Sequence, residues 1–359
     1  MTTIHAVHQI VPTLSPGDAV GGHTLAVRDA LRAVGVRSEI FSDDVAPALR
    51  DQAHPLQALP EPGTPGLALL YQCSIGNEIV DRLLARPEPL IVDYHNLTPV
   101  SQLLRWAPDM AHLVGWGRGQ LGDLAAHAML GIGDSAFNAD ELRAAGFART
   151  AVVPILLDVA DLRHPHASRP DRPGSRWLFV GRLVPNKAQH DIVLALAWYR
   201  ALHDPDAELR LVGSDAAPAY TTALRELITE LGLDDAVHLV GGVDDDALTR
   251  EYAEADVFVC LSEHEGFCIP VLEAMANEVP VVAFASSALP ETIGSGGMLL
   301  PAKDPATVAG AVHRLASDLT LQAAMVERGT ERVARFDRSH TEPLLLDALR
   351  SVLDLQPNG

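Results

Sequence analysis

The stretch ADVFVCLSEHEGFCIPVLEAMANEVPVVAFA, residues 255–285, decides the fold. It opens on a continuous apolar run, ADVFVCL (255–261), and closes on another, PVVAFA (280–285). Between them lie a polar loop and a segment with helical spacing that begins at Pro270, a first-turn position where the missing N–H costs nothing. Runs that are apolar throughout, rather than alternating, are what a sheet covered on both faces requires. Working outward, the same unit recurs. The first half offers TIHAVHQI (3–10), VRSEIF (36–41), LALLY (67–71), PLIVDY (89–94), AMLGIG (128–133) and TAVVP (150–154). The second half adds RWLFVG (176–181), ELRLVG (208–213) and AVHLVG (236–241). Strand then helix, repeated, predicts parallel α/β sheets with right-handed crossovers.

The pattern breaks once, at HPHASRPDRPGS (164–175), Pro-rich, polar and aperiodic, which reads as a linker. The expected organisation is therefore two doubly wound, Rossmann-like domains, 1–163 and 174–335. A C-terminal helix within 336–359 follows, N-capped by Ser339 and packing back on the first domain. At 359 residues the chain is long enough for two such cores. Two sheets placed this way face each other across a cleft, with ligands at the carboxyl ends of the strands.

Composition excludes several classes. The net charge is −20, with 47 acids against 27 bases, which opposes nucleic-acid binding. No apolar run reaches the roughly 18–20 residues of a membrane helix, and MTTIHAVHQI lacks the basic and apolar regions of a signal peptide. The expectation is a cytoplasmic protein. Residues 1–163 hold no Lys and eleven Arg against eighteen acids, so no stable membrane association is expected. Only Lys187 and Lys303 are lysines. Cys73, Cys260 and Cys268 show no metal-ligand spacing and read as buried free thiols, leaving no metal expected.

The chemistry concentrates after strand ends. Glu265 lies in the loop after ADVFVCL and Glu273 in the helix that follows. Gly266, Phe267, Cys268 and Ile269 precede first-turn amides suited to an anion. Two carboxylates beside such a site can bind sugar and ribose hydroxyls; on residue chemistry alone they could equally be one cap and one solvated side chain. Arg182, just past RWLFVG, and Lys187, five residues on, can neutralise a diphosphate. Cations at a helix N-terminus are disfavoured without an anion, which supports that role. His95 follows PLIVDY, with Asp93 able to orient it or to serve as a turn residue. Gly21 and Gly22 follow the first strand.

Glu265-x7-Glu273, with Gly-Phe after the first Glu, Pro270, Glu-Ala-Met-Ala at 273–276 and Pro-Val-Val at 280–282, resembles the EGFG-x-P-x-x-EA-x-A-x-G-x-PVV motif of retaining glycosyltransferases of family 4. FVGRLVPNK (179–187) resembles that family's strand–GR–x4–K segment, LVG (211–213) its next strand end, and SSALPETI (286–293) the segment after the motif. The resemblance covers most of the chain, the second half carrying nearly all of its specificity. It implies a GT-B fold and transfer of a sugar from a nucleotide-diphosphate-sugar with retained anomeric configuration, without metal or other cofactor; the acidic balance of residues 1–163 points separately to a water-soluble acceptor. It further implies that Arg182 and Lys187 hold the donor phosphates and that Gly21–Gly22 form a loop whose bare amides approach the phosphate and sugar. His95 would touch the donor sugar or acceptor, Glu265 the sugar, and Glu273 the ribose. Two departures stand out: Cys268 where the family has Gly or Ser, and Asn277–Glu278 where it has a Gly.

Other motifs carry less. Gly131-x-Gly133-x-x-Ala136 lies too late in its domain for a dinucleotide fingerprint. Asp244–Asp245–Asp246 reads as an N-cap with first-turn charges. The rival functions are an epimerase or phosphorylase on the same architecture, or a non-catalytic sugar-nucleotide-binding protein. Lys303, in the loop LPAKDP, is a poor pyridoxal lysine, and two intact pairs, Arg182/Lys187 and Glu265/Glu273, argue against a degenerate site.

Overall fold

A computed structural model describes residues 3–163 and 173–357. The chain divides into two compact α/β units. The first comprises residues 1–97, 112–158 and 336–359, and the second 98–111 and 159–335. Residues 164–172 of the expected linker lie outside the described residues.

The first unit contains β1 (Thr3–Ile4), β2 (Ala6–Ile10), β3 (Ile40–Phe41), β4 (Leu67–Cys73), β5 (Leu90–Tyr94), β6 (Ala128–Gly133) and β7 (Thr150–Val152). Six of these form a parallel sheet in the order β3-β2-β4-β5-β6-β7. β2, β4 and β5 are buried along their whole length, as their largely apolar sequences require; the polar residues Gln9, Gln72 and Asp93 are buried with them. The second unit contains β8 (Arg176–Val180), β9 (Glu208–Val212), β10 (Val237–Gly241), β11 (Val257–Cys260), β12 (Val281–Phe284) and β13 (Met298–Leu300). Its sheet is also parallel, in the order β10-β9-β8-β11-β12-β13. In each sheet the strand order reverses once, between β2 and β4 and between β8 and β11. The carboxyl edge at such a reversal leaves a crevice, because the flanking connections leave on opposite faces.

Residues 98–111, expected in the first half, fold with the second unit. Trp106, Ala107 and Met110 pack against Val184, Ala217 and Tyr220, with the Trp106 and Tyr220 rings 6.1 Å apart edge to face. The C-terminal residues belong to the first unit. Leu345, Leu349 and Val352 sit in one cluster with Ile4, Val7, Val27 and Leu31, and β14 (Asp354–Leu355) pairs with β1. Each fully buried leucine contributes about 2–3 kcal/mol relative to exposure. The helix Arg338–Arg350 begins two residues earlier than Ser339 suggests. Asp337 is the N-cap: its Oδ1 accepts the Ser339 N–H at 3.0 Å, which places Ser339 inside the first turn.

Candidate functional site

The reversal in the second sheet brings together the loops after β8 and β11, the two that hold the candidate residues. The first opens at Gly181. A Cβ added to Gly213, at the end of β9, would lie 2.0 Å from the Gly181 carbonyl oxygen, so the neighbouring strand ends touch backbone to backbone. Beyond Gly181, Arg182 is exposed and makes no ion pair among the described residues. Its carbonyl accepts from Gln189 Nε2 at 2.9 Å, tying the loop to the helix Gln189–Leu202. A short 3-10 turn, Pro185–Lys187, then delivers Lys187.

Lys187 Nζ donates to Glu265 Oε2 at 2.6 Å, so residues 78 apart in the chain form one ion pair. Burial opposes the charge on Lys187, but Glu265 outweighs it and holds the ammonium pKa above its ordinary value. The loop carrying Glu265 is fixed on several sides. Glu263 N–H donates to the Asn186 carbonyl at 2.8 Å, and Glu265 N–H to Ser287 Oγ at 2.8 Å. Thr292 Oγ1 donates to the Phe267 carbonyl at 2.6 Å. Ser287 and Thr292 thus give SSALPETI a bracing role. The segment was visible in the sequence and its contacts were not.

Cys268 adopts φ +77°, in the left-handed region, and stands as N-cap of the helix Ile269–Ala276 without a side-chain cap hydrogen bond. Glu273 projects from that helix, partly buried, and burial pushes its carboxyl above the usual carboxylate range. Tyr252 opposes this by donating its hydroxyl to Glu273 Oε2 at 2.6 Å. Tyr252 was missed: it lies 21 residues upstream in the helix Asp245–Glu254, and an apolar-face tyrosine announces no partner. That helix is N-capped by Asp244, as the sequence indicated. Past Glu273, Glu278 adopts φ +58°. A cavity of about 340 Å³ lined by Ser175, Asp256, Val257, Val312 and Leu315 lies at the amino-terminal edge of this sheet, away from these residues.

The first unit holds a separate buried network. His95 follows β5, and its ring is closed in rather than open. Nδ1 lies 3.1 Å from both oxygens of Asp134, and Nε2 meets Gln72 Oε1. The orientation of Gln72 follows from a backbone anchor. The Thr24 carbonyl accepts from Gln9 Nε2 at 2.9 Å, so Gln9 Oε1 accepts from Gln72 Nε2 at 2.8 Å, and Gln72 presents its oxygen to His95. Both His95 nitrogens then donate, and the ring is an imidazolium. Burial opposes that charge, but Asp134 and then Asp93 overcome it and raise the pKa to about 9. Burial raises the Asp134 carboxyl too, so the pair keeps its proton through neutral pH.

Asp93 pairs with His23, at 2.9 Å, and the partner that orients His95 is Asp134. Leu156 N–H donates to His23 Nδ1 at 3.0 Å, which leaves that ring's proton on Nε2 facing Asp93. Gly21 and Gly22 are helical, not a loop. They lie in the first turn of Ala19–Ala33, capped by Asp18, which accepts from Gly21 N–H through its side chain and from Gly22 N–H through its carbonyl. A Cβ at Gly21 would stand 2.6 Å from the Ser15 carbonyl oxygen, so close backbone packing explains the first glycine.

Residues 166–332 match the family model described as glycosyl transferases group 1. The D-inositol 3-phosphate glycosyltransferase of Corynebacterium kroppenstedtii is 32% identical over 182 residues, 48% of this chain and 40% of that protein. The MMP alpha-(1->4)-mannosyltransferase of Mycolicibacterium hassiacum is 38% identical over 125 residues, 35% of this chain and 29% of that protein. The chain therefore spans about half the length, or less, of these curated relatives. Among solved structures, Anabaena Alr3699/HepE in complex with UDP and glucose aligns with a TM-score of 0.70 at 19% identity, covering 96% of this chain and 99% of that one. The sucrose-phosphate synthase of Thermosynechococcus elongatus aligns with a TM-score of 0.74 at 22% identity, covering 97% and 98%. With the two parallel sheets, these likenesses show the GT-B fold. Among the described residues no helix is long and apolar enough to cross a membrane.

Proposed function

We propose that the chain is a glycosyltransferase that moves a sugar from a nucleotide-diphosphate-sugar to a water-soluble acceptor, with retention of anomeric configuration. The observation that carries the proposal is the pairing of Lys187 with Glu265 at the sheet reversal, beside an exposed Arg182. The names of the relatives and the UDP held by Alr3699/HepE support it. In this reading the anomeric bond to the diphosphate breaks, and positive groups fixed in advance stabilise the leaving nucleoside diphosphate. Lys187 is already neutralised by Glu265, so Arg182 supplies the unpaired positive charge, and the uncapped turn at Cys268–Ile269 adds backbone dipoles. Glu273, set by Tyr252, takes the ribose hydroxyls; Glu265 takes a sugar hydroxyl. His95, with both nitrogens engaged and its charge matched by Asp134, acts as a fixed positioning group on the acceptor-binding unit rather than as a proton carrier. The cytoplasmic assignment and the independence from metal and cofactor belong to the same proposal.

The test is release of nucleoside diphosphate when the chain is incubated with UDP-, GDP-, ADP- or dTDP-sugars and small glycan acceptors. A transferred sugar with the donor's anomeric configuration, read by proton NMR early in the reaction, supports the proposal. An inverted product rejects retention. No release with any donor, with a non-hydrolytic change in the sugar instead, favours an epimerase. Glu273→Ala is expected to weaken binding of free nucleoside diphosphate, whereas Glu265→Ala impairs transfer and leaves that affinity nearly intact.

A further inference from the structure

Cys268 is one of two points where the chain departs from the motif it resembles, and the structure gives its thiol a companion. Cys260 Sγ, Cys268 Sγ and a Glu265 carboxylate oxygen all lie within 4.8 Å of one another. Cys260 ends β11 and is fully buried, with Ser262 Oγ at 3.4 Å, while Cys268 is half-buried. A side chain at φ +77° costs roughly 1–2 kcal/mol that glycine would avoid. That strain delivers a second thiol to a place where glycine would leave none.

We propose that Cys260 and Cys268 form a dithiol modification site that closes into a reversible disulfide on reaction with a low-molecular-weight disulfide, drawing the Cys268 backbone away from the nucleotide. The second clause rests on the function proposed above. Cys268 reacts first because it is the accessible thiol. It gives its proton to solvent, and its thiolate attacks one sulfur of the small disulfide, breaking that S–S bond and expelling one thiolate, which takes up a proton. Cys260 then loses its proton, attacks the Cys268 sulfur of the mixed disulfide and expels the second small thiolate. Two protein thiols are oxidised, and one small disulfide is reduced to two thiols. The hydrogen bond between the thiols raises the Cys268 pKa, so the first step speeds up as pH rises. A thiophilic cation could bridge the same three atoms, but the Lys187 ammonium already neutralises Glu265 at 2.6 Å, which favours covalent closure. Cys73 belongs to the first unit and has no part in the pair.

The experiment treats the full chain with oxidised glutathione and follows intact mass and the thiol titre after denaturation. The expected product has lost two hydrogens and two of its three thiols, and dithiothreitol restores it. Cys260→Ser is expected to stop at a glutathione adduct on Cys268. A wild-type chain that keeps all three thiols, or accumulates the adduct, overturns the proposal. So does an initial titre below three that a chelator restores, which would place a cation across the pair. In a second arm, oxidation is expected to weaken nucleoside-diphosphate binding by about tenfold or more, reversibly. Unchanged affinity rejects the coupling to the nucleotide, whereas a reduced chain that binds no nucleoside diphosphate counts against the proposed function and leaves the disulfide standing.

Discussion

Glu278 and Cys268 hold left-handed backbone at φ +58° and +77°, and both fall where the resembled motif has small residues or glycine. The sequence showed a missing glycine somewhere in Asn277–Glu278; the backbone assigns it to Glu278, since Asn277 has φ −96°. Glu278→Gly is expected to stabilise the chain by about 0.5–1 kcal/mol, the relief of the left-handed penalty less the added entropy of the unfolded chain. Denaturant unfolding checks this, and a loss of stability would show that the Glu278 side chain contributes more than its backbone costs. The His95 imidazolium makes a second residue-scale prediction. Asp134, Asp93 and Asp18 face it as charges, and His23 as a neighbouring ring. Its folded pKa, about 9, stands above the unfolded value of about 6.5. The stabilisation is therefore complete below about pH 6.5 and lost as pH rises through about 9. It amounts to about 3 kcal/mol at most. Unfolding free energies of wild type and Asp134→Asn across pH 6–10 read it out: the variant is expected to lose most of this slope, and equal slopes would mean that Asp134 does not hold the proton on His95.

The elements themselves were legible because continuous apolar runs leave a parallel strand nowhere to be but inside. AMLGIG (128–133) is β6 to the residue, and most other runs differ from their strands by a residue or two at the ends, but VRSEIF (36–41) keeps only Ile40–Phe41 and TIHAVHQI (3–10) breaks into two strands at His5. Met298–Leu300 was not legible, being three residues long at the sheet edge. Caps were read less well. Ser339 has the right chemistry for an N-cap, but Asp337, two residues earlier, reaches its amide first. Asp337→Ala is accordingly expected to cost about 1 kcal/mol, with Ser339→Ala nearer to a few tenths. Thermal unfolding of the two variants decides between them, and the reverse order would restore Ser339 as the cap. Gly21–Gly22 misled for a related reason. Two glycines after a strand read as a loop, yet Asp18 caps them into a helix whose first turn packs against the Ser15 carbonyl.

At the scale of the whole molecule, the topology does what no local pattern announces. The reversal between β8 and β11 joins Lys187 to Glu265 across 78 residues, and the first unit gathers His23 from the helix Ala19–Ala33 with Gln72, Asp93, His95 and Asp134 from the ends of β4, β5 and β6. Sequence reading singled out His95, Lys187 and Glu265 through the motif resemblance. It missed Asp134 and Tyr252, because a polar side chain whose partner is 39 or 21 residues distant carries no local signal. The assignment of residues 98–111 to the second unit was hidden likewise, since Trp106 and Ala107 are as apolar as any first-unit helix. The central claim is that the carboxyl edge of the second sheet grips a nucleoside diphosphate with Arg182 as its unpaired cation. Calorimetric titration of UDP, GDP, ADP and dTDP into wild type and Arg182→Ala tests it most directly. At least one nucleotide is expected to bind wild type, and the variant to bind it about 10–100-fold more weakly, the size of one charge-assisted contact. A variant that binds as tightly as wild type, or a wild type that binds none of the four, would contradict the account.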